Sequence, residues 1–391
     1  MLEYCPYCFE KLPVSRLNGP QFELVCLENP ELKRQGRGGG HRVTIPYSEW
    51  KNWKKQGILP ACPGHSNASR SSAKCEMCRG KALSQRACPF CHTDIRSTLI
   101  NNKNLQFAII GTRNSGKTVY ITMLLDYMQK KMGAVYGSPL VPLEPSEGIR
   151  VEACINNMKQ GKMPDNTTMD EVKPRLYQYG AGNSLNVMTI FDGAGEKFND
   201  EALEAVLMRY VTQASGIILL FDPTAIPAVR DKLISSHVSS GEMTTASMRD
   251  VLQGIQLTYE NYNQLHGNTL SRALRRGTRL SIPVAVVFSK FDLMFEYFNS
   301  GNAVLKASPN MDRNRPRFDE EDSLMVDEEI REWLLRLEQD DLIASIDKCF
   351  TNVRYFGVSS LGRSPGVNVT FAPHRIADPL LWLMHEKGLI N

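Results

Sequence analysis

Residues 105–118 read Leu-Gln-Phe-Ala-Ile-Ile-Gly-Thr-Arg-Asn-Ser-Gly-Lys-Thr, an apolar run that passes straight into G-x-x-x-x-G-K-T. The order of residue types dictates a strand, a tight turn and a helix. Phe107–Ile110 is a short apolar run of strand length, and Val119-Tyr-Ile-Thr-Met-Leu-Leu-Asp-Tyr-Met continues as an amphipathic helix. Between them, Gly111 and Gly116 allow the backbone to fold back and turn its N–H groups inward, beside the positive end of the helix. Such a turn cradles phosphate. Gly111, Asn114, Ser115, Gly116 and Val119 supply its backbone, and Arg113 is placed to contact a phosphate oxygen. Lys117 is placed to reach the β- and γ-phosphates, and Thr118 to offer its hydroxyl to Mg²⁺.

Three later segments select the base and the metal site. Leu185-Asn-Val-Met-Thr-Ile-Phe191 is a second strand-like run, ending in Asp192-Gly-Ala-Gly195-Glu196. D-x-x-G after a buried strand sets a carboxylate, Asp192, beside the metal and the Gly195 N–H beside the γ-phosphate. Pro283-Val-Ala-Val-Val-Phe288 leads into Ser289-Lys290-Phe291-Asp292. This resembles the N/T-K-x-D motif of GTPases, which implies that Asp292 accepts from N1–H and N2–H₂ of guanine, a donor pair that adenine lacks, while the stem of Lys290 lies across the base. Arg354-Tyr-Phe-Gly-Val-Ser-Ser360-Leu361 resembles the last motif of GTPases, a strand then S-A-x, in which a backbone N–H meets guanine O6. Between the first helix and the second strand, Met163-Pro-Asp-Asn-Thr167-Thr168 is the candidate switch. Thr168, with Thr167 as the neighbouring alternative, would cap Mg²⁺ and the γ-phosphate.

With 391 residues and 42% hydrophobic content the chain can build one large or two medium domains. A formal charge of +4 argues for neither nucleic acid nor membrane. No apolar run approaches the roughly 18–20 residues of a spanning helix. No signal peptide is legible at the N-terminus, so the expected compartment is the cytoplasm.

Eight of the ten cysteines precede residue 92: Cys5, Cys8, Cys26, Cys62, Cys75, Cys78, Cys88 and Cys91. In a reducing compartment, clustered C-x-x-C pairs mean metal rather than disulfides. Cys75-x₂-Cys78-x₉-Cys88-x₂-Cys91 has zinc-ribbon spacing, and Cys5, Cys8, Cys26 and Cys62 form a second set, with His65 an alternative to Cys62. The likeness of Cys5-Pro-Tyr-Cys8 to Cys88-Pro-Phe-Cys91 leaves open a crossed arrangement in which these two pairs share one ion. Either way two Zn²⁺ are expected, in closed structural sites without an open position for chemistry. Lysine and arginine outnumber the acids in this region, but zinc-bound thiolates cancel part of that excess, and nucleic-acid binding is not expected.

The expected organisation is a zinc-ribbon module over 1–100 and an α/β domain over 101–391. Alternating strands and helices predict a mostly parallel, right-handed, three-layer sheet. Asn299–Glu321, rich in Asn, Asp, Arg, Pro and Gly, reads as a mobile insertion.

The C-P-x-C knuckles, G-T-R-N-S-G-K-T, D-G-A-G-E, Leu220-Phe-Asp-Pro223, S-K-F-D and the tail Ala377-Asp-Pro-Leu-Leu-Trp-Leu-Met384 together resemble the bacterial double-GTPase family of TRAFAC-type P-loop GTPases, many of which carry N-terminal zinc ribbons. The resemblance implies a Ras-like GTPase domain that binds GTP or GDP with Mg²⁺. It also implies a protein partner encoded nearby and a role in bacterial conflict and defence. The sequence departs from GTPase pattern at two positions. Ser289 stands where Asn or Thr is usual, and Glu196 stands where many small GTPases carry the glutamine that orients water. Lys117, Glu196 and Thr168 are the candidate catalytic residues. Hydrolysis is expected to be slow without a partner. The rival expectations are a GTP-gated scaffold with negligible turnover and a zinc-ribbon GTPase associated with RNA.

Overall fold

The computed structural model describes residues 4–12, 22–26, 65–68, 73–74, 82–88, 90–91, 93, 95–111, 115–164, 174–181, 184–192, 210–235, 248, 251–253, 255, 279–362 and 370–391. The chain divides into two compact units, Met1–Asn104 and Leu105–Asn391.

The first unit carries a four-stranded sheet in the order β2-β1-β4-β3, formed by β1 (Phe22–Cys26), β2 (His65–Ala68), β3 (Ala73–Lys74) and β4 (Ala82–Ala87). All three pairings are antiparallel. The connection between β3 and β4 contains Cys75 and Cys78, whereas Cys88 follows the far end of β4. A short helix, α1 (Ser97–Asn101), ends the unit.

The second unit is an α/β domain. Its elements in chain order are β5 (Lys103–Gly111), α2 (Lys117–Tyr136), β6 (Val141–Pro142), α3 (Pro145–Lys159), β7 (Arg175–Ala181), β8 (Ser184–Asp192), β9 (Gly216–Phe221), α4 (Pro227–Ser235), β10 (Leu280–Phe288), α5 (Glu320–Arg336), α6 (Asp340–Cys349), β11 (Phe350–Gly357) and α7 (Asp378–Glu386). Seven strands form one sheet in the order β11-β10-β9-β5-β8-β7-β6. The pairs β5–β9, β9–β10 and β10–β11 are parallel. The pairs β6–β7 and β7–β8 are antiparallel.

The central strands are continuous apolar runs because both faces are covered. Phe107 and Ile109 of β5, Ile218 and Leu220 of β9, and Ala285 and Val287 of β10 share one core with the buried stripes of α2, α3 and α7. Alternate residues point to the other face, where Phe288 meets Trp333 of α5 edge-on at 5.4 Å. Since β5, β9, β10 and β11 run parallel, their carboxyl ends emerge at one edge of the sheet. That edge is where ligands settle in open α/β sheets.

Asn299–Glu321 differs from the mobile insertion its composition suggests. It contains two 3-10 turns, Ala303–Leu305 and Pro309–Met311, and buries Ala303, Val304 and Asn310. Its polar side chains are spent on internal hydrogen bonds. Asn310 accepts from Asp319 N at 2.7 Å and donates to Asp378 at 3.2 Å, and its carbonyl accepts from the Tyr136 hydroxyl at 2.7 Å. The buried Arg375 guanidinium clamps the same segment through the Ala303 and Lys306 carbonyls and pairs with Asp322 and Asp378.

Among the described residues no helix is long and apolar enough to cross a membrane.

Candidate functional site

In the first unit, two like-built knuckles present four cysteines. Phe9 N donates to Cys5 O, Cys5 N to Glu10 O and Cys88 N to Thr93 O, so each loop folds back around its sulfurs. Phe9 takes a left-handed φ of 58° to do so. The Sγ atoms of Cys5, Cys8, Cys88 and Cys91 all lie within 4.8 Å of one another. Cys5 and Cys91 are 3.8 Å apart, and Cys8 and Cys88 3.7 Å apart. A Zn–S bond of about 2.3 Å sets tetrahedral sulfurs about 3.8 Å apart, so this donor set fits one zinc ion. Burial pushes the Cys5 thiol well up. Hydrogen bonds from Cys5, then Cys8, draw Cys88 and Cys91 down. Four sulfurs this close could hold a single metal ion between them.

The pairing corrects the expected grouping of Cys88 and Cys91 with Cys75 and Cys78, and takes the crossed arrangement instead. The reason is β4. Six extended residues span about 20 Å, so the nine-residue spacer becomes a strand that sends its two ends apart rather than closing one coordination sphere. Cys62, Cys75 and Cys78, and the side chains of Cys26 and His65, lie outside the described residues, so the second expected site does too.

In the second unit, β5 ends at Gly111, where a Cβ would sit 2.5 Å from the Leu220 carbonyl oxygen and 2.7 Å from Ser115 Oγ. Only glycine fits there. Gly116 precedes α2 with φ 77°, and the position of its absent Cβ faces open space. Ser115 is buried, and its Oγ has no hydrogen-bond partner among the described residues. An orphaned hydroxyl in a glycine-bracketed turn is a donor awaiting an acceptor. The half-buried Lys117 curls back so that Nζ donates to Gly111 O at 3.4 Å. Thr118 and Val119, both half-buried, continue the first turn of α2.

At the next strands along, β9 and β10 are laced together. Ser289 N and Oγ both donate to Phe221 O, at 2.8 and 3.1 Å. The serine that replaces the usual Asn or Thr thus bonds locally to β9. Lys290 stands in the left-handed region, φ 50° and ψ 32°. Phe291 is held by its N–H on Val358 O and packs on Gly357, where any Cβ would fall 2.6 Å from its ring. Asp292, half-buried, accepts from Ser359 Oγ at 2.5 Å. Gly362 N donates to that same Oγ at 2.9 Å, so the serine proton is directed at Asp292. Ser360 and Leu361 form the bend between them. Behind, Ser359 and His374 exchange both backbone hydrogen bonds, and the His374 ring donates from Nε2 to Val304 O at 2.7 Å. Burial holds His374 below its usual pKa and therefore neutral.

The structure thus brings Gly111, Ser115, Gly116, Lys117, Thr118, Ser289, Lys290, Asp292, Ser360 and Leu361 to one sheet edge. Asp192 ends β8, next to β5. Its side chain lies outside the described residues, as do Arg113, Asn114, Thr167, Thr168, Gly195 and Glu196. Sequence reading missed Ser359, although a hydroxyl adjoining the S-S-L bend was a visible signal. It also assigned no role to Asp222 in Leu220-Phe-Asp-Pro223.

No family model matches the chain. It is similar to SaeC of Mycolicibacterium smegmatis, a proposed ESX-1 scaffolding and assembly protein. The two share 24% identity over 341 residues, which cover 78% of this chain and 80% of that one. A likeness this distant carries no activity across.

Proposed function

We propose that this chain is a Ras-like P-loop GTPase that binds guanine nucleotide at the carboxyl edge of β5, β9 and β10 and hydrolyses GTP slowly. One observation carries the reading. The Asp292 carboxylate, which accepts from the Ser359 hydroxyl, lies on the same sheet edge as the glycine-bracketed turn that ends at Lys117. Ser359, itself fixed by Gly362 N, turns Asp292 into a preoriented acceptor for the N1–H and N2–H₂ of guanine. The orphaned Ser115 hydroxyl, the Gly116 N–H and the Lys117 ammonium suit phosphate oxygens.

Thr118 and Asp192 would hold Mg²⁺, which when bound offsets charge on the β- and γ-phosphates. Lys117, released from the Gly111 carbonyl, neutralises the same oxygens as water attacks the γ-phosphorus and the bond to the GDP oxygen breaks. The role of Thr168 as switch residue, of Glu196 toward water and of Arg113 toward phosphate belong to this proposal. So do a second zinc ion, a cytoplasmic setting, a protein partner and a place in bacterial conflict or defence. A second reading, a GTP-gated scaffold with negligible turnover, draws support from the likeness to a scaffolding and assembly protein.

Calorimetric titration of the full chain with GDP and ADP tests the base. GDP should bind far more tightly, and Asp292→Asn should shift preference toward xanthosine diphosphate, whose C2 carbonyl accepts from the new amide. Equal affinity of the unmutated chain for GDP and ADP would refute the proposal.

A further inference from the structure

The loop after β9 holds a fully buried carboxylate. Asp222 is 0% exposed and accepts at Oδ1 from Thr224 N at 2.9 Å and Thr224 Oγ1 at 2.7 Å. Its other oxygen, Oδ2, is 2.7 Å from Lys290 Nζ, and the lysine remains 30% exposed. A charge is seldom buried this deeply unless it is paired, and removing one partner leaves the other stranded. The pair is therefore a fixed joint.

The joint crosses from one strand end to the next. Asp222 follows β9 and Lys290 follows β10, and Ser289 already binds Phe221 O through both its N–H and its hydroxyl. On the other side, the Leu220 carbonyl sits against Gly111, where no Cβ could fit. The residues 220–222 thus lie between the glycine-bracketed turn and the Ser289–Asp292 loop and touch both. Lys290 reaches Asp222 from a left-handed backbone, a conformation strained for a non-glycine residue. Strain held by a specific ion pair marks a side chain whose direction matters.

We infer that Asp222 is the positioning residue for Lys290, anchoring its ammonium to the β9 loop so that the lysine stem forms a fixed wall of the nucleobase site. The inference rests on the guanine reading given above. Asp222 touches no base. It acts by removing rotamers from a side chain that otherwise loses its rotamer freedom only on ordering against the base. Thr224 orients the carboxylate in turn by donating to it from both N–H and hydroxyl, with Asp222 as the N-cap of the 3-10 turn Pro223–Ala225.

Asp222→Asn separates the roles, since it retains an oxygen for Thr224 while removing the charge that holds Lys290. In the full chain, GDP affinity should fall about tenfold or more, the size of one lost charge-assisted hydrogen bond, with ADP affinity little changed. In a Lys290→Met background, Asp222→Asn should cause no further loss of GDP affinity, because the group it acts through is gone. Lys290→Arg gives an arm that does not depend on folding of the Asn variant. It keeps the pair but redirects the stem, so GDP affinity should fall while the thermal midpoint holds. The inference is overturned if Asp222→Asn lowers the thermal midpoint but leaves GDP affinity within about twofold, or if the losses from Asp222→Asn and Lys290→Met simply add. It is also overturned if Lys290→Arg binds GDP as the unmutated chain does. Equal GDP and ADP affinity before any substitution would instead defeat the guanine reading, and this inference with it.

Discussion

Tyr210 does at the scale of one hydroxyl what a ladder of hydrogen bonds does for a whole strand. It is fully buried, donates to Phe107 O of β5 and receives Phe191 N–H of β8 at 3.0 Å. Its ring lies 4.3 Å from that of Phe191. Phe191 is the residue before Asp192, so this one side chain fixes the backbone that presents the proposed metal carboxylate. Tyr210→Phe retains the ring packing and removes only the oxygen, leaving a buried N–H and a buried carbonyl short of a partner. The expected cost is about 1–3 kcal/mol, read as a lower urea midpoint with an unchanged m-value. A variant within a few tenths of a kcal/mol of the parent would show that water replaces the hydroxyl.

Elements differ in how openly the sequence announces them. β5, β9 and β10 are legible because a strand buried on both faces reads as a continuous apolar run. The helix α3 is not legible, since its buried stripe is only Val151, Ile155 and Met158 within an otherwise polar segment. The order in Asn299–Glu321 is hidden for a different reason: its polar residues bond to one another and to Arg375 and Asp378, and partners distant in sequence leave no local pattern. The Gly111–Thr118 turn and Asp292 were legible from spacing alone. The bond from Ser359 to Asp292 and the Asp222–Lys290 pair were not, because they depend on which strand ends become neighbours. The same limit governs the cysteines. Spacing identified the two knuckles, but only the folded chain puts Cys5 and Cys8 with Cys88 and Cys91. Elemental analysis should accordingly find zinc, with one equivalent lost on Cys5→Ser or Cys91→Ser. Cys75→Ser should leave that ion in place. Loss of the same ion from the Cys75 variant would restore the uncrossed pairing.

At the scale of the molecule, a small cysteine-bearing unit precedes a large α/β domain, and the chemistry proposed for each is different. Four thiolates around one zinc form a closed set, suited to holding a fold or a partner but offering no open coordination position. The sheet edge of the second unit is where turnover would occur, and its rate separates the two readings. Glu196 stands where many small GTPases carry the water-orienting glutamine, and on that ground the proposal expects slow chemistry. In the proposed complex Lys117 and the turn would neutralise phosphate charge, while the base-side residues would contribute binding. A site of that kind binds tightly and reacts slowly until another group arrives. Single-turnover hydrolysis by the isolated full chain should therefore run at roughly 10⁻⁴–10⁻² s⁻¹, comparable to small GTPases without their activators. Lys117→Ala should abolish tight nucleotide binding by deleting the ammonium that meets the β- and γ-phosphates. Glu196→Ala should lower kcat with little change in GTP affinity if that carboxylate orients water, since an interaction made mainly in the transition state leaves binding alone. An unchanged or raised kcat would assign Glu196 no part in the chemistry and favour the gated scaffold. Turnover at several per second by the chain alone would mean that the site is complete without a partner, and the argument for completion in trans would fail.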